Sequence, residues 1–133
     1  MSQEENVEIA RQYFKAFNAG GLDGTQHLRH PQIELYDPPD LPDAARYVGE
    51  AAFRKRIESY LAVGWDGQFR AQEYLDAGEE VVMLWQMTGR SPLGDFPLDM
   101  TIAFLCLFER GKLRRVRWYT SRAEGLEAAG LKE

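Results

Sequence analysis

The sequence contains a single cysteine, Cys106, in 133 residues. One cysteine cannot form an internal disulfide, and such sparing use fits a protein of a reducing compartment. Cys106 lies within the apolar run 102–108, so we interpret it as a small buried side chain and not as a nucleophile. This run is also too short to span a bilayer, which requires about 20 apolar residues.

The chain also lacks an excess of positive charge and any long block of basic residues. Its formal net charge is −5, from 16 basic and 21 acidic side chains. This balance argues against a nucleic acid or an anionic membrane surface as a partner. Because the acidic N-terminus has no apolar segment of the kind found in signal peptides, we expect a cytoplasmic protein.

Motifs for cofactors, metals and covalent nucleophiles are missing as well. The sequence has no glycine-rich phosphate loop and no G-x-S-x-G element. His27 and His30 do not have the spacing of an HExxH pair. A site built from His30, Glu34, Asp37 and Asp40 is disfavoured because strand alternation would place Glu34 and Asp37 on opposite faces. We therefore expect neither a cofactor nor a bound metal.

Two hydrophobic periods divide the chain into a helical part and a strand part. Apolar residues at helical spacing predict a first helix that ends at Gly20-Gly21, a short second helix over 22–29 and a third helix over 49–62, with a proline-rich loop over 37–47. After residue 65 the period falls to two and predicts an antiparallel meander with strands over 68–76, 80–90, 96–109 and 112–120. A capping box at Ser121 and Glu124 begins a final short helix.

The stretch from Ile33 to Pro39 bears most directly on function. Ile33 and Leu35 alternate with polar residues and predict a strand, which the two prolines after Asp37 end abruptly. Asp37, held extended before a proline, can project into a cavity or cap the following turn. Burial in an apolar cavity would disfavour the charged carboxylate and bring its proton affinity into the range of a general base.

The order of predicted elements is typical of an α+β domain with helices on one face of a curved, mostly antiparallel sheet. The length, together with the absence of repeats and linkers, predicts one domain over residues 1–133. The strand over 96–109 is apolar on both faces, and the predicted helices can cover only one of them. A second subunit is the expected source of the other layer, so the sequence predicts a homodimer.

The chain resembles the nuclear transport factor 2-like superfamily and, within it, the SnoaL-like branch. The segments that carry this resemblance are YFKAFNAG at 13–20, Asp37-Pro38, FERGKL at 108–113 and the tail over 122–131. The resemblance implies a cone-shaped, cystatin-like curved sheet with the N-terminal helices on its concave face, around a cavity for a small hydrophobic molecule. The aromatic side chains expected to line this cavity, or to fill it, are Tyr36, Trp65, Trp85, Phe104, Trp118 and Tyr119.

The first helix and the first strand are most similar to ketosteroid isomerase. In that family the helix carries a tyrosine and ends in asparagine-alanine-glycine, which Tyr13 and residues 18–20 match. Its catalytic aspartate precedes a proline, as Asp37 does. The resemblance implies Asp37 as the proton carrier and Tyr13 as a hydrogen-bond donor to a substrate oxyanion. A core tyrosine bonded to a backbone carbonyl is the alternative for Tyr13.

The sequence therefore predicts a small-molecule-pocket protein of SnoaL-like type and leaves three functions open. A cofactor-free isomerase or cyclase would use Asp37 to move a proton next to a carbonyl group. A binding or accessory domain without chemistry is supported because the second acid of ketosteroid isomerase falls near the apolar residues 103–104, with Asp99 out of register. An epoxide-hydrolase-like enzyme would need an Asp-Arg-Asp set, which Arg90, Asp99 and Arg117 do not complete.

Overall fold

The computed structural model describes residues 3–61, 66–90 and 97–131. These ranges contain three α-helices and six strands, and a short 3-10 helix (Gln26–Leu28) follows the first α-helix. The elements are α1 (Gln3–Thr25), β1 (Arg29–Tyr36), β2 (Arg46–Val48), α2 (Glu50–Leu61), β3 (Asp66–Ala77), β4 (Glu80–Arg90), β5 (Pro97–Glu109), β6 (Lys112–Tyr119) and α3 (Arg122–Ala128). None of the described helices has the length and apolar character that a membrane span requires.

The six strands form one sheet in the order β2-β1-β6-β5-β4-β3. β1 runs parallel to β6, and every other neighbouring pair is antiparallel. The last strand of the meander therefore lies in the middle of the sheet, beside the first strand of the chain. The predicted α+β fold with a curved, mostly antiparallel sheet is confirmed.

Strand alternation sorts the apolar side chains between two faces of the sheet. The inner face is the one on which α1 packs against β3 and β4 and on which α2 packs against β1. Alternate residues of β1, β4, β5 and β6 point to this face and form the main core with α1 and α2. Its largest fully buried members are Ile33, Leu35, Val81, Cys106 and Leu113.

The outer face carries a second, smaller core. Val82, Leu84, Ala103 and Leu105 are fully buried there, beneath residues 128–131 at the end of α3. α3 thus covers part of the outer face of β5, for which the sequence predicts a second subunit. The reasoning from sequence overlooked this cover because α3 has only seven residues. The homodimer stays a prediction.

The N-terminal helix breaks at its glycines, as predicted. Gly21 adopts φ 62° and ψ −144°, which is not helical, so α1 consists of two helical segments joined by a kink. The second segment ends at Thr25, and a 3-10 helix follows it where the prediction continued the helix to residue 29. β1 begins at Arg29, four residues before Ile33, so Arg29 belongs to the sheet and not to a helix.

The predicted loop over 37–47 contains a short edge strand. β2 pairs with the end of β1, with Tyr36 opposite Arg46. Three residues are too few for a period of two to be recognised in the sequence. The other elements agree with the prediction to within two residues, and the amide of Glu124 donates to the side chain of Ser121, which confirms the predicted cap of α3.

Candidate functional site

Asp37 immediately follows β1 and points to the inner face, in register with Ile33 and Leu35 of that strand. Its side chain is only 1% exposed. The neighbouring strand β6 brings Trp118 beside it, and the indole Nε1 of Trp118 donates to Asp37 Oδ1 at 3.2 Å. The carboxylate is therefore buried, as the general-base hypothesis requires.

The surroundings of this carboxylate are polar, although the hypothesis assumed an apolar cavity. Arg56 of α2 donates to both oxygens, from Nε to Oδ1 at 3.3 Å and from Nη2 to Oδ2 at 3.2 Å. The hydroxyl of Tyr47 and the backbone amide of Ala45 reach Oδ2 at 3.4 and 3.2 Å. Because all these groups are donors, they match an ionised carboxylate, which can only accept hydrogen bonds. Because the guanidinium of Arg56 donates to both oxygens, its interaction with the Asp37 carboxylate is stronger than a single hydrogen bond.

Asp37 also closes the loop that leads to β2. Its backbone amide donates to the carbonyl of Ala45 at 3.1 Å, and its carboxylate accepts from the amide of the same residue. Asp37 therefore does fix a loop, as the turn-capping alternative proposed. Its hydrogen bonds, however, go across the loop to Ala45 and not to the residues directly after Pro38. One side chain fixes both the loop and the carboxylate position.

Tyr13 lies on α1 and is buried in the main core. Arg29 Nη1 donates to its hydroxyl oxygen at 3.3 Å, so its partner is a side chain and not the backbone carbonyl of the alternative interpretation. Burial raises the pKa of the Tyr13 phenol, and the nearby Arg29 charge opposes this rise. The phenol is therefore neutral at pH 7 and retains a proton to donate. No hydrogen bond of the described residues joins Tyr13 to Asp37.

A second polar network surrounds Arg29, whose side chain is 0% exposed. Its Nε and Nη2 donate to the two carboxylate oxygens of Glu50, each at 2.7 Å. It also donates to the carbonyl of Leu22 at 2.9 Å and to the hydroxyl of Thr25. With Tyr13, these residues form what we call the Arg29 network, which ties α1, β1 and α2 together at one point.

The sequence analysis missed Arg29, Glu50, Arg56 and Tyr47. A usable signal existed for Arg56, which is spaced along α2 with Phe53 and Ile57 on the side that packs inward. A charged residue on an apolar helix stripe needs a buried partner, and Asp37 is the partner it has. For Arg29 the assignment to a helix end concealed the signal, since a charge there requires no burial.

Trp85 of β4 is the centre of an aromatic cluster on the inner face. Phe14 and Phe104 lie 4.8 Å from it between ring centroids, with Phe17 at 5.6 Å and Phe69 at 5.9 Å. Trp85 is 5% exposed, whereas the four phenylalanines are only partly buried. Apolar rings that remain accessible around a buried one form a surface on which a hydrophobic molecule can pack.

This cluster is continuous with the buried carboxylate. Phe104 is opposite Trp118 in the pairing of β5 with β6, and Trp118 donates to Asp37. Phe104 also contacts the ring of Trp85, which lies two residues along β4 from Met83, the direct partner of Phe104. We call Asp37, Trp118, Phe104 and Trp85 the inner-face row. Measured across the strands, three spacings of about 4.8 Å separate its ends by about 14 Å.

Two other aromatic residues expected at the cavity lie elsewhere. Tyr36 points to the outer face, where its hydroxyl donates to Glu34 at 3.0 Å and Arg46 lies 5.9 Å above its ring. Tyr119 packs against the second core on the same outer face. The structure therefore groups Trp85, Phe104 and Trp118 but does not bring Tyr36 or Tyr119 to them. Trp65 lies outside the described residues.

The remaining candidates have structural partners. Cys106 is fully buried, and burial raises the pKa of its thiol, as expected for a core cysteine. Asp99 accepts a hydrogen bond from Gln86 at 2.8 Å, and Arg117 donates to Glu80 at 2.7 Å. In the part of the chain that the structure describes, no group of three histidine, cysteine or acidic side chains is placed to hold a metal ion.

A family model described as SnoaL-like domain matches residues 10–116. The chain belongs to the SnoaL-like family. This SnoaL-like chain gives no match in a comparison with curated proteins. The solved structures that it resembles include NTF2-like proteins and a cystatin-like fold, which confirms the expected fold.

Three of these structures represent the range. An NTF2-like protein of Burkholderia xenovorans LB400 is 23% identical, with a TM-score of 0.70 over 97% of this chain and 98% of that one. A proposed SnoaL-like polyketide cyclase of Mesorhizobium loti is 17% identical, with a TM-score of 0.66 over 85% and 97%. A protein of Catenulispora acidiphila DSM 44928 with a ketosteroid isomerase-like fold, in complex with trimethylamine, is 16% identical, with a TM-score of 0.69 over 94% of each chain. At these identities the likeness establishes the fold.

Proposed function

We propose that this SnoaL-like domain binds a small hydrophobic carbonyl compound along the inner-face row. The observation that supports this proposal best is the row itself, in which the partly accessible ring of Phe104 lies between two buried tryptophans, one of which donates to the buried carboxylate. Apolar rings would supply most of the binding free energy, and the few polar groups beside them would orient the ligand. The neighbour proposed to be a polyketide cyclase has the same fold and is compatible with this class of ligand.

The same site suggests cofactor-free acid–base chemistry, either isomerisation or aldol-type cyclisation. Asp37 would remove a proton from the carbon next to the carbonyl group and leave an enolate, whose oxygen Tyr13 would stabilise. The proton would return to another carbon in an isomerisation. In a cyclisation the enolate carbon would instead attack a second carbonyl group. Because hydrogen bonds from Arg56 and other donors occupy both oxygens of Asp37, a donor must release one oxygen before that oxygen can take a proton from the ligand.

A binding or accessory domain without chemistry is the second candidate. The observation that favours it is the saturation of both polar groups. Asp37 accepts hydrogen bonds from Arg56, Trp118, Tyr47 and the backbone. Tyr13 is held by Arg29 in a separate network. Ligand binding would then depend on the aromatic rings alone.

Proton exchange separates the two candidates without knowledge of the natural substrate. We expect the protein to accelerate the exchange of the protons next to the ketone of 2-tetralone in D2O, followed by proton NMR. Asp37→Asn should reduce the protein-catalysed rate by about 100-fold or more, since it removes the base and keeps the shape. Asp40→Asn, at an exposed acid three residues further along, should leave the rate unchanged.

Each outcome of this experiment has a defined meaning. Equal acceleration by the wild type and Asp37→Asn would show that Asp37 does not carry the proton. Binding of 2-tetralone to the wild type without acceleration would favour the accessory domain. If 2-tetralone neither binds nor exchanges faster, the proposal of a carbonyl ligand is wrong.

We also propose that two copies associate through the part of the outer face that α3 leaves free. Arg115 and Arg117 reach Glu80 there, and the side chains of these arginines are 35% and 31% exposed. β5 is apolar on this face as well, so a second copy could cover the surface beside the second core. Sedimentation at micromolar concentration should show a dimer. Arg117→Glu should convert the dimer to a monomer. Lys15→Glu, at an exposed position of α1 and away from this face, should leave the dimer intact. A monomeric wild type would contradict this proposal.

A further inference from the structure

The two oxygens of the Asp37 carboxylate are held by different parts of the fold. Oδ1 accepts from Nε1 of Trp118 at 3.2 Å and from Nε of Arg56 at 3.3 Å. Trp118 lies on β6, inside the sheet, and Arg56 lies on α2, which packs against β1. Because a carboxylate oxygen has two lone pairs, these two donors occupy Oδ1 from two well-packed elements.

Oδ2 is held partly by a loop and by the edge of the sheet. It accepts from the amide of Ala45 and from Nη2 of Arg56, both at 3.2 Å, and from the hydroxyl of Tyr47 at 3.4 Å. Ala45 is exposed and ends the loop over residues 38–45, and Tyr47 belongs to the three-residue edge strand β2. A surface residue of a loop is thus in direct contact with a carboxylate oxygen that is itself buried.

The loop over residues 38–45 has few contacts with the core. Pro38 is fully buried and Leu41 packs against the main core, whereas the other residues of the loop are exposed. The amides of Leu41 and Ala44 donate within the loop, to the carbonyls of Pro38 and Leu41 at 3.1 and 3.2 Å. A segment with few buried apolar contacts and exposed backbone hydrogen bonds opens locally at a low free-energy cost, while the rest of the domain stays folded.

We propose that residues 38–45 form a lid over Asp37, which Leu41 and the contact of Ala45 with Oδ2 hold closed. When the lid opens, the Ala45 amide leaves Oδ2 and frees a lone pair of that oxygen, while the two donors to Oδ1 keep the carboxylate in place. The contacts of the carboxylate support the lid without reference to any ligand. The assignment of Oδ2 as the oxygen that takes the proton rests on the proposed function.

Carboxyl labelling tests the lid on the protein alone. A water-soluble carbodiimide with glycine ethyl ester converts accessible carboxylates to amides, and tandem mass spectrometry locates the label. We expect Leu41→Ala to increase the labelling rate of Asp37 about 10-fold, because the lid loses its apolar contact with the core. Asp40, an exposed acid of the same loop, should label equally in both proteins. Leu28→Ala, at another partly buried leucine that lies before β1, should leave the labelling of Asp37 unchanged.

The outcomes separate the lid from the proposed function. Equal labelling of Asp37 in the wild type and in Leu41→Ala would overturn the lid, and so would an equal increase in Leu28→Ala, since the loop would then open only with the whole domain. If the wild type accelerates the proton exchange of 2-tetralone, Leu41→Ala should raise that rate by up to about 10-fold, in step with the open fraction. An unchanged exchange rate would show that the lid does not free the base. If the wild type gives no acceleration, the proposed base fails, and labelling alone decides the lid.

Discussion

Replacing Arg29 by methionine is expected to lower the free energy of unfolding by about 3–5 kcal/mol, the usual cost of removing one partner of a buried ion pair. The change removes the guanidinium that binds both oxygens of Glu50 and leaves Arg54, at 3.9 Å, as the cation beside that carboxylate. It also removes donors from the carbonyl of Leu22 and from the hydroxyls of Thr25 and Tyr13. Methionine fills a similar length, so the loss reports on hydrogen bonds and charge more than on volume. Urea denaturation measures it directly.

Arg122→Met is the matched control for this change. Arg122 pairs with Glu73, the two side chains are 41% and 43% exposed, and exposed pairs contribute about 0–1 kcal/mol. The double variant Arg29→Met/Glu50→Met should recover part of the loss, because it removes the carboxylate together with its main partner. If Arg29→Met proves as stable as Arg122→Met, the Arg29 network does not hold the two helices to β1.

Gly125→Ala is expected to cost about 1–3 kcal/mol of folding free energy, although alanine favours a helix over glycine. A Cβ on Gly125 would overlap the Cβ of Ala103 on β5, so α3 would have to move away from the second core. Overpacking of this kind outweighs a gain in helix propensity of up to about 1 kcal/mol. Thermal and urea unfolding should both show the loss.

Gly20→Ala provides the corresponding control in α1. A Cβ there meets nothing within 4 Å and the backbone is helical, so we expect it to stabilise the protein by up to about 1 kcal/mol. Ala103→Gly combined with Gly125→Ala should recover part of the lost stability by restoring space at the contact. A Gly125→Ala variant as stable as Gly20→Ala would show that α3 does not pack closely on β5.

Periodicity predicted most of the fold because long strands and helices repeat their pattern several times. It predicted β1 from Ile33 but missed the first four residues of the strand, where Pro31 lies and the pairing with β6 shifts register between Arg29 and Glu34. Proline in a strand is compatible with such irregularities, but it resembles a helix end in the sequence. β2 was missed because its three residues carry no repeat.

The candidate site was only partly predictable. The strand end before two prolines located Asp37, but Arg56 is 19 positions away and meets it only through packing of α2 on the sheet. The orientation of two tyrosines was predictable from strand alternation. Tyr36 directly follows Leu35, and Tyr119 directly follows Trp118, and both of these preceding residues point inward. Neighbours along a strand face opposite sides, so both tyrosines could have been assigned to the outer face.

The parallel pairing of β1 with β6 has a consequence for biosynthesis. The contact between Asp37 and Trp118 joins residues 81 positions apart, and the strand that supplies Trp118 is the last one made. During translation β1 and α2 must wait, without their central neighbour, until most of the chain has left the ribosome. Contacts this distant along the sequence slow folding. The inner face around Asp37 and Trp118 is therefore among the last parts of the domain to take shape in a newly made chain.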